Sequence, residues 1–223
     1  QVFKDMITNP KYGSVKEGVR VWNEYVYSFG FGRKLGTDLY GEGAGNVPTP
    51  EDYDKKYNGR WNYGSVLSCS IGQGEMGCTP LQMANLAAII ANRGYYYTPH
   101  LVKSIEGRDS IDARFYERHY TMVDSIHYVP IVEGMWRSVN VSGTSRTAYL
   151  EGWDVCGKTG TAENSGPDHS TFLSFAPKDN PQIAISVYVE HGGFGSAIAV
   201  PIASLIEEMY LTDTIQRPHL IER

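Results

Sequence analysis

The chain has 223 residues and a formal net charge of −5, with 41% hydrophobic and 12% aromatic residues. It can therefore bury a core as one good-sized domain or two small ones, and its charge argues against a broad nucleic-acid surface. No run of about 18 apolar residues is present to span a bilayer. The first residues, QVFKDMITNP, lack an initiator Met and an apolar signal-peptide core, so we expect a piece of a longer protein.

The first predicted helix covers residues 14–29. Ser14 and Glu17 form an S-x-x-E capping pattern, and apolar residues then recur at helical spacing up to a glycine at position 30. Residues 36–62 show no periodicity and are rich in Gly, Pro, Asp, Asn and Tyr. This stretch predicts a long loop, which is unusual inside a compact domain and is often functional.

The second helix, predicted over residues 79–93, has the clearest start signal in the chain. Thr79 is the expected N-cap, Pro80 occupies the first helical position, and Gln82 completes a T-x-x-Q pattern. The helix is apolar nearly all round, which predicts that it is buried. Residues 97–105 are then predicted to form a short strand.

The second half of the chain is predicted to contain two further long helices, at 129–140 and 196–210, and a short one at 144–150. The residues expected to face inward are Ile131, Val132, Met135, Trp136 and Val139 in the first, and Ile198, Ile202, Leu205, Ile206 and Met209 in the last. Pro201 is expected in the first turn of the last helix, or to kink it.

Three consecutive segments with a period of two lie between these helices and predict strands at 153–162, 169–177 and 182–190. Sequential strands joined by short loops are most simply antiparallel. The fold class is therefore predicted to be α+β, with helices packed on a small antiparallel sheet.

The three cysteines, Cys69, Cys78 and Cys156, are an odd number without C-x-x-C spacing. This pattern describes neither a disulfide framework nor a zinc site. Three idle thiols are the favoured interpretation, and a Cys69–Cys78 bridge stays open for an oxidising compartment. Because the histidines also lack ligand spacing, we expect no metal and no cofactor.

The first of the three strands carries Lys158, Thr159, Gly160 and Thr161 in succession. The lysine offers positive charge, and the two hydroxyls, two residues apart on one strand face, can donate hydrogen bonds to a carboxylate. Gly160 leaves room for another backbone to approach. The four residues predict a site for the anionic end of an extended peptide, although a lysine on a strand is more often only solvated.

Longer segments around these residues resemble the penicillin-binding transpeptidase family, and more narrowly the class B cell-elongation enzymes called penicillin-binding protein 2. The similar segments, which together cover nearly the whole chain, are FGFGRKLGTDLYGEGAGNVPTP, SIGQGEMGCTPLQMANLAAIIANRG, GKTGTAE, HSTFLSFAP and ISVYVEHG.

The resemblance implies a serine enzyme that attacks the D-Ala-D-Ala end of a peptidoglycan stem peptide and is trapped by β-lactams. Lys158 then supplies charge near the reacting centre. Thr159, Gly160 and Thr161 bind substrate, and the backbone N–H of Thr161 is an oxyanion-hole donor. His169, at the start of the next predicted strand, is expected to line the cleft or to be an ordinary loop histidine.

The family's serine motif set has three parts, S-x-x-K, S-x-N and K-T-G, and this sequence contains one of them. No lysine has a serine three residues before it. The single S-x-N, formed by Ser138, Val139 and Asn140, follows the 79–93 helix, whereas the family's motif precedes it, so we interpret it as a chance match. We expect residues 1–223 to be the C-terminal part of one transpeptidase domain and to be inactive alone.

The resemblance also implies partners and a location. The expected partners are the stem peptide, β-lactams and a membrane glycosyltransferase of the elongation machinery, and no nucleic acid. The family is anchored in the inner membrane by an upstream helix, with its catalytic domain facing the periplasm. Two alternatives stay open: a D,D-carboxypeptidase or β-lactamase on the same fold, and a non-catalytic penicillin sensor or elongation scaffold.

Overall fold

The computed structural model describes residues 1–221, which divide into two compact units. Unit 1 comprises residues 1–79 and 97–122, and unit 2 comprises residues 80–96 and those from 123 onward. No helix among residues 1–221 combines the length and apolar character needed to cross a bilayer.

Unit 1 is built on three helices: α1 (Val2–Ile7), α2 (Val15–Ser28) and α3 (Pro50–Tyr57). The predicted helix at 14–29 is confirmed as α2. Its N-cap is Ser14, whose side chain accepts a hydrogen bond from the Glu17 N–H. A buried cluster joins these helices to a nine-residue 3₁₀ helix, Tyr63–Ile71; its members are Ile7, Val19, Tyr53, Val66 and Cys69.

The prediction of a long loop over residues 36–62 is wrong for eight residues, which form α3. This helix starts at a reciprocal capping box, in which the Thr49 side chain accepts from the Asp52 N–H and the Asp52 carboxylate accepts from the Thr49 N–H. Pro50 occupies its first position. The start signal was readable in the sequence, but eight residues are too few to display helical periodicity.

The strand predicted at 97–105 is also wrong for most of its length. The structure has only two three-residue strands here, β1 (Tyr95–Tyr97) and β2 (Arg118–Tyr120). Beyond Tyr97 the backbone bonds to a side chain instead of a neighbouring strand, because the N–H groups of Leu101 and Val102 donate to the Asp38 carboxylate. The hydrogen bond from the Val102 N–H, and then that from the Leu101 N–H, hold the pKa of Asp38 below its usual value.

The three thiols are free, so the alternative of a Cys69–Cys78 bridge is wrong. Cys69 is buried, and its Sγ lies 3.2 Å from the Tyr53 hydroxyl. That hydroxyl also donates to Glu75, which forms an ion pair with Lys56. The site around Cys69 is therefore a structural network within unit 1.

Unit 2 contains α4 (Pro80–Ala91), α5 (Tyr128–Arg137), β3 (Cys156–Ala162), β4 (His169–Ala176), β5 (Ile183–Val189) and α6 (Ala199–Thr212). The strands form an antiparallel sheet in the order β3-β4-β5, as predicted. Helices α4 and α6 both pack against β4 and β5. The α+β class with a small antiparallel sheet is therefore confirmed, and α4 is buried as expected.

Most of the apolar stripe predicted at 129–140 is buried, on α5 and in the turn that follows it. Val132, Met135 and Val139 are buried, but Ile131, at the margin of this stripe, is 51% exposed, so its predicted burial is wrong. After Arg137 the chain makes a π-helical turn, Ser138–Ser142. The predicted short helix at 144–150 is a 3₁₀ turn, Arg146–Ala148.

The predicted inward face of α6 is wrong, because Ile202, Ile206 and Met209 are 40–51% exposed. The helix instead turns a stripe of small residues to the sheet, and Ala199 and Ala203 pack against Phe172 on β4. Small side chains allow a helix to lie close to its neighbour. Pro201 lies in the first turn of α6, as expected.

The buried face of α6 also carries Glu207, which is 1% exposed. No hydrogen bond of ordinary geometry reaches either carboxylate oxygen within residues 1–221, and the neighbouring Ser174 hydroxyl and Arg217 charge offset its burial only in part. Burial raises the pKa of Glu207 from 4.5 to about 7, since a carboxylate loses its hydration in the core. Between these pH values the folded chain holds a proton that the unfolded chain has released, so the free energy of unfolding falls as the pH rises.

Glu207→Gln is therefore expected to stabilise the chain at pH 8 by about 3 kcal/mol, with a smaller difference at pH 5. Urea unfolding of both proteins from pH 5 to pH 8 measures this difference. Glu106→Gln, at an exposed position, is the control and should show no such trend. A difference between Glu207→Gln and wild type that does not change with pH contradicts a raised pKa for Glu207.

Candidate active site

The edge of β3 is the feature on which the candidate site is built. Among the described strands β3 pairs only with β4, and residues of an antiparallel strand direct their backbone groups alternately toward the partner and away from it. The carbonyl of Val155 accepts from Asn140 Nδ2 at 2.8 Å and the carbonyl of Thr159 accepts from Lys158 Nζ at 2.6 Å. The odd-numbered residues therefore face the open edge, and the alternation directs the Thr161 N–H there as well.

The side chains of Lys158, Thr159 and Thr161 surround this edge on both faces of the sheet. Thr159 and Thr161 pair with Phe172 and Ser170 and lie on one face, whereas Lys158 lies on the other. The Thr159 hydroxyl is 2.8 Å from the Thr144 hydroxyl. Lys158 is exposed and has no ion-pair partner within residues 1–221, so its charge is available to a ligand.

His169 lies on the same sheet face as Lys158 but at the far end of β3. Its register partner is Ala162, four residues beyond Lys158, which corresponds to about 13 Å along the strand. Asn164 Nδ2 lies 2.9 Å from the Nε2 atom of His169, and the Nδ1 atom of His169 accepts a hydrogen bond from the His191 N–H. These contacts hold His169 at the turn between β3 and β4, and a direct contact with substrate stays a prediction.

A glycine-rich loop after β5, residues 192–196, is part of this region and was missed in the sequence. A Cβ on Gly195 would lie 2.5 Å from the Gly160 carbonyl oxygen and 2.6 Å from that of Thr171. The loop therefore rests directly on the ladder between β3 and β4, next to Thr161. Phe194, at its centre, is 71% exposed; the Gly-Gly-Phe-Gly sequence was the available signal.

The S-x-N match at residues 138–140 is structural. The Ser138 hydroxyl donates to the Ser145 hydroxyl at 3.0 Å. Asn140 Nδ2 donates to the carbonyls of Trp136 and Val155. Ser138 thus bonds the π-helical turn to the segment after it, and Asn140 bonds it to the residue before β3. Both side chains are used within the fold, which does not support a role as a second catalytic motif.

The remaining groups near β3 do not add a nucleophile or a metal site. Cys156 is buried, and burial raises the pKa of its thiol to about 12, which makes it unreactive. Residues 1–221 contain no cluster of three or more His, Cys, Asp or Glu side chains that could hold a metal ion. The site therefore consists of a charge, hydroxyls and backbone donors.

Comparison with known proteins identifies the family of this chain. The penicillin-binding protein transpeptidase domain model matches residues 14–208. The chain is 33% identical over 219 residues to the peptidoglycan D,D-transpeptidase MrdA of Haemophilus influenzae, covering 89% of this chain and 34% of that protein. It thus spans about a third of the length of this relative.

Two solved structures share the fold. Pseudomonas aeruginosa PBP2 in complex with WCK 5153 has a TM-score of 0.76 and 34% identity, covering 95% of this chain and 45% of that one. Penicillin-binding protein A from Mycobacterium tuberculosis, an imipenem acyl-enzyme complex, has a TM-score of 0.69 and 28% identity, covering 89% of this chain and 43% of that one. From the sequence match and the shared fold together, the chain belongs to the penicillin-binding protein transpeptidase family.

Proposed function

We propose that the chain supplies one wall of the active site of a peptidoglycan D,D-transpeptidase of cell-wall elongation, which cross-links stem peptides through a serine acyl-enzyme and binds β-lactams. The observation that carries this proposal is the open edge of β3, where the Thr161 N–H lies beside Lys158 and Thr159. The match to MrdA supports the reaction class and the elongation subtype.

The residues of β3 have distinct roles in this reaction. A serine from outside this chain attacks the carbonyl carbon of the penultimate D-alanine, and the Thr161 N–H donates to the oxyanion that forms. Such a donor lowers the barrier by about 3 kcal/mol. The hydroxyls of Thr159 and Thr161 bind the terminal carboxylate, Gly160 allows the substrate backbone to approach, and Lys158 stabilises developing negative charge. Terminal D-alanine then leaves, and an amine of a neighbouring strand takes the acyl group.

We infer that residues 1–223 are the C-terminal part of a single transpeptidase domain whose S-x-x-K and S-x-N segments lie upstream. The supporting observations are the absence of S-x-x-K from the sequence and the structural role of Ser138 and Asn140. The chain alone is then unable to form an acyl-enzyme.

The proposed partners and location follow from the family. The substrate is a stem peptide ending in D-Ala-D-Ala, and β-lactams mimic that end. A membrane glycosyltransferase of the elongation machinery is the proposed protein partner. The intact protein is proposed to be anchored in the inner membrane upstream of this chain, with the site facing the periplasm.

Fluorescent-penicillin labelling tests the proposal. It compares the 223-residue chain with a longer protein that extends upstream through the first serine motif. Label on the longer protein only is the expected result. No label on either protein overturns the enzyme proposal and favours a scaffold, whereas rapid turnover of the β-lactam by the longer protein indicates a β-lactamase.

A further inference from the structure

Ser170 on β4 connects three parts of the structure through one buried hydroxyl. Its side chain is 0% exposed, and its register partner on β3 is Thr161. The hydroxyl donates to the Phe194 carbonyl at 3.1 Å and accepts from the Ala199 N–H at 3.1 Å. One side chain thus ties the candidate oxyanion strand to the glycine-rich loop and to the start of α6.

The glycine-rich loop depends on this anchor for its position. A Cβ on Gly192 would lie 2.9 Å from the Ser170 Cβ, and the missing Cβ of Gly195 faces the backbone of Gly160. The loop therefore lies close against β3 and β4 through the backbone of its glycines. The Phe194 carbonyl, bonded to Ser170, lies between these two close contacts.

The start of α6 depends on Ser170 as well. The N-cap residue of this helix, Ile198, makes no side-chain capping hydrogen bond. The Ser170 hydroxyl accepts from the first helical N–H, that of Ala199, and so performs from a neighbouring strand the function that a Ser or Asp N-cap normally has. Removing the Ser170 hydroxyl would leave the buried Ala199 N–H without an acceptor.

We propose that Ser170 is a positioning residue for acylation, because it holds Phe194 and its loop at the Thr161 end of the active-site strand. The inference rests on the proposed transpeptidase function. It assigns Ser170 no contact with substrate. The Ser170 hydroxyl acts only through the loop. Removing this hydroxyl should therefore slow acylation only when the Phe194 ring is present.

Ser174 provides a matched control on the same strand. It is also 0% exposed and lies on the same sheet face, four residues from Ser170. Its hydroxyl lies near Glu207 on α6 and forms no hydrogen bond of ordinary geometry within residues 1–221. Ser174→Ala therefore removes the same atom from the same buried strand face without releasing the loop.

The experiment measures the second-order rate constant of acylation by a β-lactam in the intact protein that contains this chain. The variants are Ser170→Ala, Phe194→Ala, the double variant and Ser174→Ala, all assayed well below their thermal unfolding midpoints. We expect Ser170→Ala to slow acylation about fivefold, in the range of one lost hydrogen bond, and Ser174→Ala to leave the rate unchanged. In the Phe194→Ala background, Ser170→Ala should cause no further loss.

The outcomes separate the two proposals. If the wild-type protein is not acylated, the proposed function fails. If the wild-type protein is acylated and Ser170→Ala reacts at the same rate, only the positioning role is overturned. Equal losses from Ser170→Ala with and without the Phe194 ring, or equal losses from Ser170→Ala and Ser174→Ala, also overturn it, because both indicate a general effect on packing.

Discussion

Replacing Lys158 by Gln in the intact protein is expected to lower the rate of β-lactam acylation by about a hundredfold or more. Lys158 is exposed and has no carboxylate partner within residues 1–221, and its ammonium contacts only the Thr159 carbonyl. In the reaction proposed above, the charge of Lys158 would stabilise negative charge that develops on the substrate carbonyl. Removing it takes away an interaction that strengthens in the transition state.

Stopped-flow or gel-based acylation with a fluorescent penicillin measures this loss. Lys158→Arg keeps the charge and should retain more of the rate than Lys158→Gln. Lys103→Gln removes an exposed lysine in unit 1 and should react like wild type. A Lys158→Gln protein that is acylated within a few-fold of the wild-type rate contradicts the role given to Lys158.

Arg217→Met is expected to destabilise the 223-residue chain by about 3–5 kcal/mol. The Arg217 Nε lies 3.2 Å from Oε2 of Glu208, a carboxylate that is 1% exposed. The guanidinium also donates to the carbonyls of Thr147, Tyr149 and Ser204. The variant leaves a buried carboxylate without its charged partner, which is the costly case for an ion pair.

Urea unfolding measures this loss, with Arg137→Met as the matched control. Arg137 also pairs with a glutamate, Glu133, but the two side chains are 67% and 40% exposed, so less than about 1 kcal/mol is expected. Adding Glu208→Gln to Arg217→Met should recover part of the lost stability, since the buried charge is gone. Equal losses for the two arginine variants contradict the argument from burial.

The region around β3 could be only partly predicted from the sequence. The K-T-G segment predicted its own strand, and the spacing of Thr159 and Thr161 predicted that they share a face, which the register confirms. The loop around Phe194 is 33 residues from Thr161 along the chain. Its position depends on the Ser170 hydroxyl and on the backbone contact at Gly195, and no local pattern encodes either of them.

Helix α6 was also only partly predicted from the sequence. Its existence and approximate bounds followed from helical periodicity, but its buried face did not. The large apolar residues Ile202, Ile206 and Met209 are exposed, whereas Ala203 and Glu207 are buried. A hydrophobic pattern predicts which side chains prefer to leave water, but it does not specify how closely the helix approaches the sheet.

By itself, the sequence determined the α+β class, the order of the three sheet strands, the start of α2 and the shared strand face of Thr159 and Thr161. These features depend on side-chain periodicity, capping and short spacing, all of which act over a few neighbouring residues. Only the tertiary structure decided that Ile131 is exposed, that the N–H groups of Leu101 and Val102 bond to Asp38 instead of a strand, and that Ser170 reaches both Phe194 and Ala199. These features require groups far apart in the chain to meet, and their cost or gain depends on burial that exists only in the folded protein.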